Sequence, residues 1–308
     1  MGQMPETTII PLGTASAIPT RERHPSATAL LRKGRVLLFD CGEGTQLRFL
    51  QAGLKITRID AVFITHLHGD HYFGLPGLVS TLSMINRADP LTIVGPAGIA
   101  EAIATMPGIN LDRSTLPVEF IELHETVDRQ VVYETDEVFV EARPIEHRTF
   151  AAGYRFVERS KPGHLDVERA RELGVTDYED YRALKSGRSV QVDGQTVTPH
   201  MVVGPDRPGR SFAYITDTRP CENGRILARS ADLVYHEATF TDEHADNAVR
   251  TGHSTAREAA EVALHAEAKR LLIGHFSARH ADPSLLFEEA TDVFKNTEVA
   301  EELKRYSL

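Results

Sequence analysis

His66, His68, Asp70 and His71 fall within six consecutive positions of the stretch ITHLHGDHYFGLPGL, directly after the apolar run AVFIT at Ala61 to Thr65. Imidazole and carboxylate groups at this density suit a divalent cation, because two His nitrogens and a carboxylate are donors that zinc, manganese and iron accept. In an extended backbone residues two apart project to the same side, so His66 and His68 would face one point. Gly69 permits the bend that turns Asp70 and His71 back. A solvated polar turn would explain the polarity of the stretch but not four ligand-type residues in six positions at a strand end.

One such cluster cannot complete the shells of two ions, so further ligands are expected at other strand ends. His147 in IEHRTF, Asp217 in YITDT and His275 in LLIGH each follow an apolar, strand-like run. A lone histidine in that place is more often packed or hydrogen-bonded than ligating, and it is the shared placement that raises all three as candidates. His124, His164, His200, His244, His265 and His280 lack that context and read as surface or structural residues.

The elements that must position these groups show in the apolar patterns. Short β-branched runs broken by Gly and Pro, at Thr7 to Leu12, Ala27 to Leu31 and Val36 to Phe39, predict an early antiparallel sheet. Thr45 to Ala52 reads as a short helix, Ala61 to Thr65 as a buried strand and Leu75 to Ile85 as an amphipathic helix. Strands follow at Leu91 to Val94, Phe120 to Leu123, Val138 to Arg143, Tyr154 to Val157, Phe212 to Ile215, Leu233 to Tyr235 and Arg270 to Ile273. Helices are expected at Ala97 to Ala104, Thr255 to Ala266 and Ser284 to Lys295. Between residues 160 and 210 the apolar periodicity weakens into a charged stretch of helical propensity, which predicts an inserted arm-like segment within a single domain spanning 1–308.

Composition narrows the function. The 308 residues are 41% hydrophobic and 25% charged, as in an ordinary globular protein, neither disordered nor fibrous. A formal net charge of -10 argues against a generally basic nucleic-acid-binding surface, so a polyanionic substrate would need local positive charge. Cys41 and Cys221 make no disulfide framework and carry no CxxC spacing, which suits a reducing compartment. The first residues lack the features of a secretory signal and no run of about 20 apolar residues occurs, so a soluble, cytoplasmic protein is expected, with no membrane partner.

HLHGDH at His66 to His71, with FDCGEGTQ at Phe39 to Gln46, GLPGL at Gly74 to Leu78, GPAGI at Gly95 to Ile99, YITDTRP at Tyr214 to Pro220, HEATF at His236 to Phe240, GHST at Gly252 to Thr255 and HFSARH at His275 to His280, resembles ribonuclease Z of the metallo-β-lactamase superfamily. HLHGDH points only to the superfamily; HEATF and GHST, in that order after the Asp217 strand, are more specific. The resemblance implies an αββα four-layer sandwich, two Zn2+ ions with Mn2+ or Fe2+ as alternatives, and removal of the 3′ trailer from precursor tRNA by phosphodiester hydrolysis. Carried over by motif, His66, His68 and His147 would hold one ion and Asp70, His71 and His275 the other, with Asp217 bridging. Asp70 would also orient the attacking water. His253 in GHST would protonate the leaving 3′ oxygen, and Glu237 in HEATF would keep that imidazole charged. His253 also precedes Ser254 and Thr255, either of which could cap the next helix. His236 is expected beside the site rather than on a metal.

The loop PTRERHPS at Pro19 to Ser26 is similar to the family's P-T-K-x-R-N loop, with Arg21 for Lys and His24 for Asn, and Arg21 and Arg23 are candidates for substrate phosphate. The family's arm carries a Gly-Pro-rich turn before an L-K-x-G stretch. Here the residues before LKSG, Thr176 to Ala183, lack it and include Asp177, Glu179 and Asp180. The family is usually a homodimer in which one subunit's arm serves the other's active site. An alternative is a related metal-dependent phosphodiesterase acting on other RNA or small phosphodiesters.

Overall fold

The apolar runs become strands of two sheets of seven strands each. The structure, a computed structural model, describes residues 7–106, 108, 109, 111, 116–126 and 128–308. In chain order the strands are β1 (Thr7–Gly13), β2 (Ala27–Arg32), β3 (Arg35–Phe39), β4 (Ile59–Phe63), β5 (Leu91–Pro96), β6 (Val118–Leu123), β7 (Gln130–Glu134), β8 (Val138–Ile145), β9 (Ala151–Glu158), β10 (Val190–Val192), β11 (Gln195–Val197), β12 (Ser211–Ile215), β13 (Leu233–Glu237), β14 (Leu271–Gly274), β15 (Thr297–Val299) and β16 (Tyr306–Ser307). The first sheet runs β16-β1-β2-β3-β4-β5-β6 and the second β15-β14-β13-β12-β9-β8-β7. The expected antiparallel pairing holds from β1 to β3, but β3 to β6 are parallel. The change follows from helix α1 (Thr45–Gln51) between β3 and β4, since a parallel pair needs a crossover. Strands β12 to β15 are also parallel.

Period-two alternation sorts each strand's residues between two layers. Phe39 and Phe63 of the first sheet meet Tyr154, Phe212 and Tyr214 of the second, with ring centroids 5.4 to 6.2 Å apart across the seam. Their neighbours Leu38 and Val62 point outward, into a core shared with α1, α3 (Gly74–Met84) and α4 (Ile99–Ala104). Ala213 and Ile215 likewise face outward, against α8 (Glu222–Ala228), α10 (Ala256–His265) and α11 (Ser284–Val293). The result is the αββα layering. Burial against both a sheet and a helix layer makes these strands nearly continuous apolar runs. Buried Cys41 sits just after β3, and desolvation pushes its thiol up to about 12, which leaves it unreactive.

Asp136–Val138 and Val157–Arg210 form a second compact unit that contains all of the expected insert, 160–210. Helices α5 (Val167–Glu172), α6 (Tyr178–Lys185) and α7 (Pro199–Val202) and the β10-β11 hairpin surround Ala170, Val175, Leu184, Val190, Val197 and Val202. The acidic run has a local cause: the Asp177 carboxylate caps α6 by accepting from the Glu179 amide at 2.7 Å, and Glu179 and Asp180 occupy its first turn, where the helix dipole favours negative charge. Among the described residues no helix is long and apolar enough to cross a membrane.

Candidate metal centre

The candidate ligands lie beyond the C-terminal ends of strands from both sheets: His66 to His71 after β4, His147 after β8, Asp217 after β12 and His275 after β14. The strand expected to end at Thr65 ends at Phe63, and a short helix α2 (Gly69–Tyr72), with His68 at its N-cap, carries Asp70 and His71. Asp40, Asp217 and His275 adopt left-handed backbone conformations, with φ of 54°, 48° and 59°. Such strain in non-glycine residues persists only where surrounding contacts over-determine it, and it gathers at functional sites.

Three overlapping groups form among the described residues. His66, His68, His147 and Asp217 each place a donor atom within 4.8 Å of the others, Asp70, His71 and His275 do the same, and Asp217 and His275 also meet His253 within that distance. Asp217 stands between the first two: Oδ2 lies 3.6 Å from His66 Nε2, while Oδ1 lies 3.1 Å from His71 Nε2 and 3.0 Å from His275 Nε2. The Nε2 atoms of His71, His147 and His275 are buried and meet no group in hydrogen-bond geometry, those of His71 and His275 facing carboxylate oxygens instead. Each ring's other nitrogen is engaged: His71 Nδ1 with Asp40 at 2.8 Å, His147 Nδ1 with the Gly252 carbonyl at 2.7 Å and His275 Nδ1 with Thr239 Oγ1 at 2.9 Å. A buried imidazole whose Nδ1 proton is donated presents a bare Nε2 lone pair, costly to leave without a partner. Three such lone pairs beside shared carboxylates fit divalent cations.

Asp40 is a functional residue that the sequence reading passed over, although it follows the apolar β3 just as Asp217 follows β12. Its buried carboxylate accepts from His71 and from the Thr65 amide at 2.8 Å, and from Thr65 Oγ1, which in turn meets His66 Nδ1 at 3.1 Å. Glu237, at the end of β13, repeats the device. It accepts from His253 Nδ1 at 2.9 Å directly and reaches His275 through Thr239 Oγ1 at 2.5 Å. In each half one buried acid holds one imidazole directly and another through a threonine hydroxyl.

His253 sits half-buried, its ring centroid 5.2 Å from that of His147 and 5.5 Å from that of His275. Its carbonyl accepts from Arg219 Nη1 at 2.5 Å, and Arg219 pairs with Glu258, which closes a capping box with Thr255 at the start of α10. The capping contact and the imidazole's approach to the site therefore coexist. Burial would lower the His253 pKa, but the Glu237 carboxylate outweighs it and holds the imidazole above its ordinary value. For His66 and His147 burial dominates and holds them below it. Burial raises Asp70 and Asp217, yet the surrounding histidines hold both well below the usual carboxylate range.

The loop from Thr14 to His24 lies against this centre, and the Ala17 amide donates to Asp70 Oδ2 at 2.8 Å. Arg23 directs both terminal nitrogens onto the His280 and Ala281 carbonyls, at 2.7 and 2.8 Å, and lies over the Phe276 ring. That engagement departs from a phosphate contact, and leaves exposed Arg21 as the cation of the pair facing solvent. His236 is buried, with Nδ1 on the Glu237 carbonyl at 2.8 Å. His244 and His280, read as ordinary residues, pack with ring centroids 5.7 Å apart beside Phe240.

Residues 7–106 match the family model described as anti-Pycsar protein Apyc1, and residues 183–276 the one described as beta-lactamase superfamily domain. The chain is 56% identical to ribonuclease Z of Salinibacter ruber, an alignment that covers 97% of this chain and 94% of that one. It is 44% identical to ribonuclease Z of Haloferax volcanii, over 92% of this chain and 89% of the relative. Among solved structures, human tRNase Z, short form, aligns with a TM-score of 0.68 at 28% identity over 97% of this chain and 98% of its own. The metallo-beta-lactamase fold protein YhfI from Bacillus subtilis, at 16% identity, aligns with a TM-score of 0.69 over 98% of this chain and 99% of its own, a likeness of fold.

Proposed function

The chain belongs to the ribonuclease Z family, and on that footing we propose that it is a metal-dependent endoribonuclease that removes the 3′ trailer from precursor tRNA. The observation that carries this reading is the set of three Nε2 atoms without hydrogen bonds gathered near Asp217, beside an imidazole whose pKa a buried carboxylate holds above its ordinary value. His66, His68 and His147 would hold one zinc ion and Asp70, His71 and His275 the second, with Asp217 shared between them. Bound there, two divalent cations supply Lewis acidity that acidifies water and stabilises charge on the phosphoryl oxygens.

The chain's own groups do the rest. Asp70, fixed by the Ala17 amide, orients the attacking water and accepts its proton. His253 donates a proton from Nε2 to the 3′ oxygen that leaves the tRNA, while its Nδ1 remains on Glu237 Oε1. Asp40, through His71 and Thr65, and Glu237, through Thr239, fix the tautomers that aim the ligand nitrogens. Arg21 contacts a phosphate of the RNA and offsets the chain's net charge of -10 near the scissile bond, and Arg23 holds the loop that presents it. A cytoplasmic homodimer, with the second unit of one subunit serving the other's active site, belongs to the same reading. Two free cysteines and a separately cored insert support it.

The test is cleavage of a 3′-extended precursor tRNA beside bis(p-nitrophenyl) phosphate, with metal content determined on the same sample. We expect both to be cut, two zinc ions per chain, a tRNA product that ends in a 3′ hydroxyl at the discriminator base, and loss of both activities on chelation. Cleavage of the small diester alone would replace the tRNA reading with that of a small-phosphodiester hydrolase.

A further inference from the structure

Glu302 lies in the crossing between β15, which pairs with β14 in the second sheet, and β16, which pairs with β1 in the first. Its backbone neighbourhood is tied to both: the Ala300 amide donates to the Ile273 carbonyl and the Leu303 amide to the Pro11 carbonyl, each at 2.8 Å. The side chain is only 7% exposed and gathers donors from three places. Oε1 accepts from the His24 amide at 2.8 Å and from the Thr14 amide at 3.1 Å. Oε2 faces His24 Nδ1 at 3.0 Å and accepts from Arg48 at 2.7 Å.

Thr14 and His24 are the two ends of the loop that lies against the metal centre. The Ala15 amide bonds the His24 carbonyl at 2.9 Å, so the ends meet, and one carboxylate closes them. At the loop's far side Ala17 holds φ at 62°, a left-handed conformation that an alanine does not adopt unaided, and there its amide reaches Asp70 Oδ2. The contact to Asp70 is thus made by a strained residue in a loop whose two ends share a carboxylate 288 positions from Thr14, while backbone bonds from Ala15 to His24 and from Ser16 to Phe276 hold its course.

We propose that Glu302 is a positioning residue for the reaction: by stapling Thr14 and His24 it holds the Ala17 amide on Asp70 and so fixes the carboxylate that faces His71 and His275. The inference rests on the reading of Asp70 as a ligand. With the staple gone Ala17 relaxes, its amide withdraws, and Asp70 loses one fixed orientation without any change in ligand identity. Arg23, bonded to the His280 and Ala281 carbonyls, keeps the loop near the site, so the loss is of aim rather than of the loop.

The test uses the full chain carrying Glu302→Ala, Glu302→Gln or His24→Ala. Affinity for zinc alone is measured by chelator competition, and kcat and KM on bis(p-nitrophenyl) phosphate and on precursor tRNA. Glu302→Ala is expected to weaken zinc binding and lower kcat on both substrates by about tenfold, the lower end of what partners of metal ligands contribute, with KM for the small diester unchanged. Glu302→Gln, whose carbonyl oxygen can still accept from Thr14 and His24, recovers part of both. A Glu302→Ala protein that melts earlier but keeps the parent zinc affinity and kcat overturns the proposal and leaves Glu302 a structural strap. Should that variant not fold, His24→Ala decides: a shift of about threefold in the same direction supports the staple, and an unshifted zinc affinity refutes it. If the parent protein cuts no tRNA, the proposed function fails, while zinc affinity and the small diester still judge the staple.

Discussion

Replacement of Glu237 by Gln probes proton donation without emptying the metal centre. The carboxylate is fully buried and accepts from the Thr218 amide at 2.7 Å and His253 Nδ1 at 2.9 Å through Oε1, and from Thr239 through Oε2. A glutamine with its oxygen on the Oε1 side keeps the first two contacts. Its NH2 then donates to Thr239, whose hydroxyl can turn to the His275 carbonyl 3.0 Å away and still accept from His275 Nδ1. What is lost is the charge, together with the long 3.4 Å contact that Oε2 accepts from the Thr239 amide. A hydrogen bond to a charged group contributes about 1.5–3 kcal/mol against about 0.5–1.5 for a neutral pair, a difference of about 1–1.5 kcal/mol. Glu237 raises the His253 pKa, so the acid form persists to higher pH in the parent. In the variant, the fall in rate with rising pH begins at lower pH, and above it kcat on precursor tRNA drops about tenfold. Nitrophenolate leaves as a stable anion and needs no proton, so bis(p-nitrophenyl) phosphate cleavage changes little. The assay is a pH profile of kcat on both substrates with metal content measured. An unmoved limb, or equal losses on both substrates with the metals retained, would refute the assignment of His253 as acid.

Thr239→Val keeps the volume but leaves Glu237 Oε2 and His275 Nδ1 without their shared hydroxyl, and should weaken zinc binding by about 10- to 100-fold in a chelator competition. Parent-like affinity would show that His275 is oriented by other means. Arg21→Ala should raise KM for precursor tRNA and leave KM for the small diester unchanged, whereas Arg23→Ala, which frees two loop carbonyls, should also lower the melting temperature. Equal KM values for RNA in the parent and Arg21→Ala would put Arg21 outside the RNA path.

How much of this site shows in the sequence depends on how far its contacts reach along the chain. His66 and His68 are two apart after a strand, and a period of two set them on one side, with His66 Nε2 and His68 Nδ1 at 2.9 Å. Thr255 and Glu258 carry a capping box in their spacing alone. His147, Asp217 and His275 declared themselves by following apolar runs; for Asp217 and His275 the parallel strands β12 and β14 deliver their C-terminal ends to one edge, whereas His147 follows β8, which is antiparallel to β7.

The partners of those residues lay outside any such pattern. That Asp40 holds His71 and Thr65 follows from β3 and β4 pairing in parallel, which brings together residues 31 and 25 positions apart. Arg23 reads as a loop cation until the fold sets the carbonyls of His280 and Ala281 before it. Asp177, which stands in the arm stretch that lacks the family's Gly-Pro turn, is first of all a helix cap. The left-handed turns at Asp40, Asp217 and His275 go against local preference and exist because tertiary hydrogen bonds outweigh it. The sequence by itself determined the donor types and the strand ends that carry them, since both depend on local spacing. Which nitrogen each imidazole presents, and which carboxylate aims it, was decided only when distant strands met, because a hydrogen bond is set by position in space and not by separation along the chain.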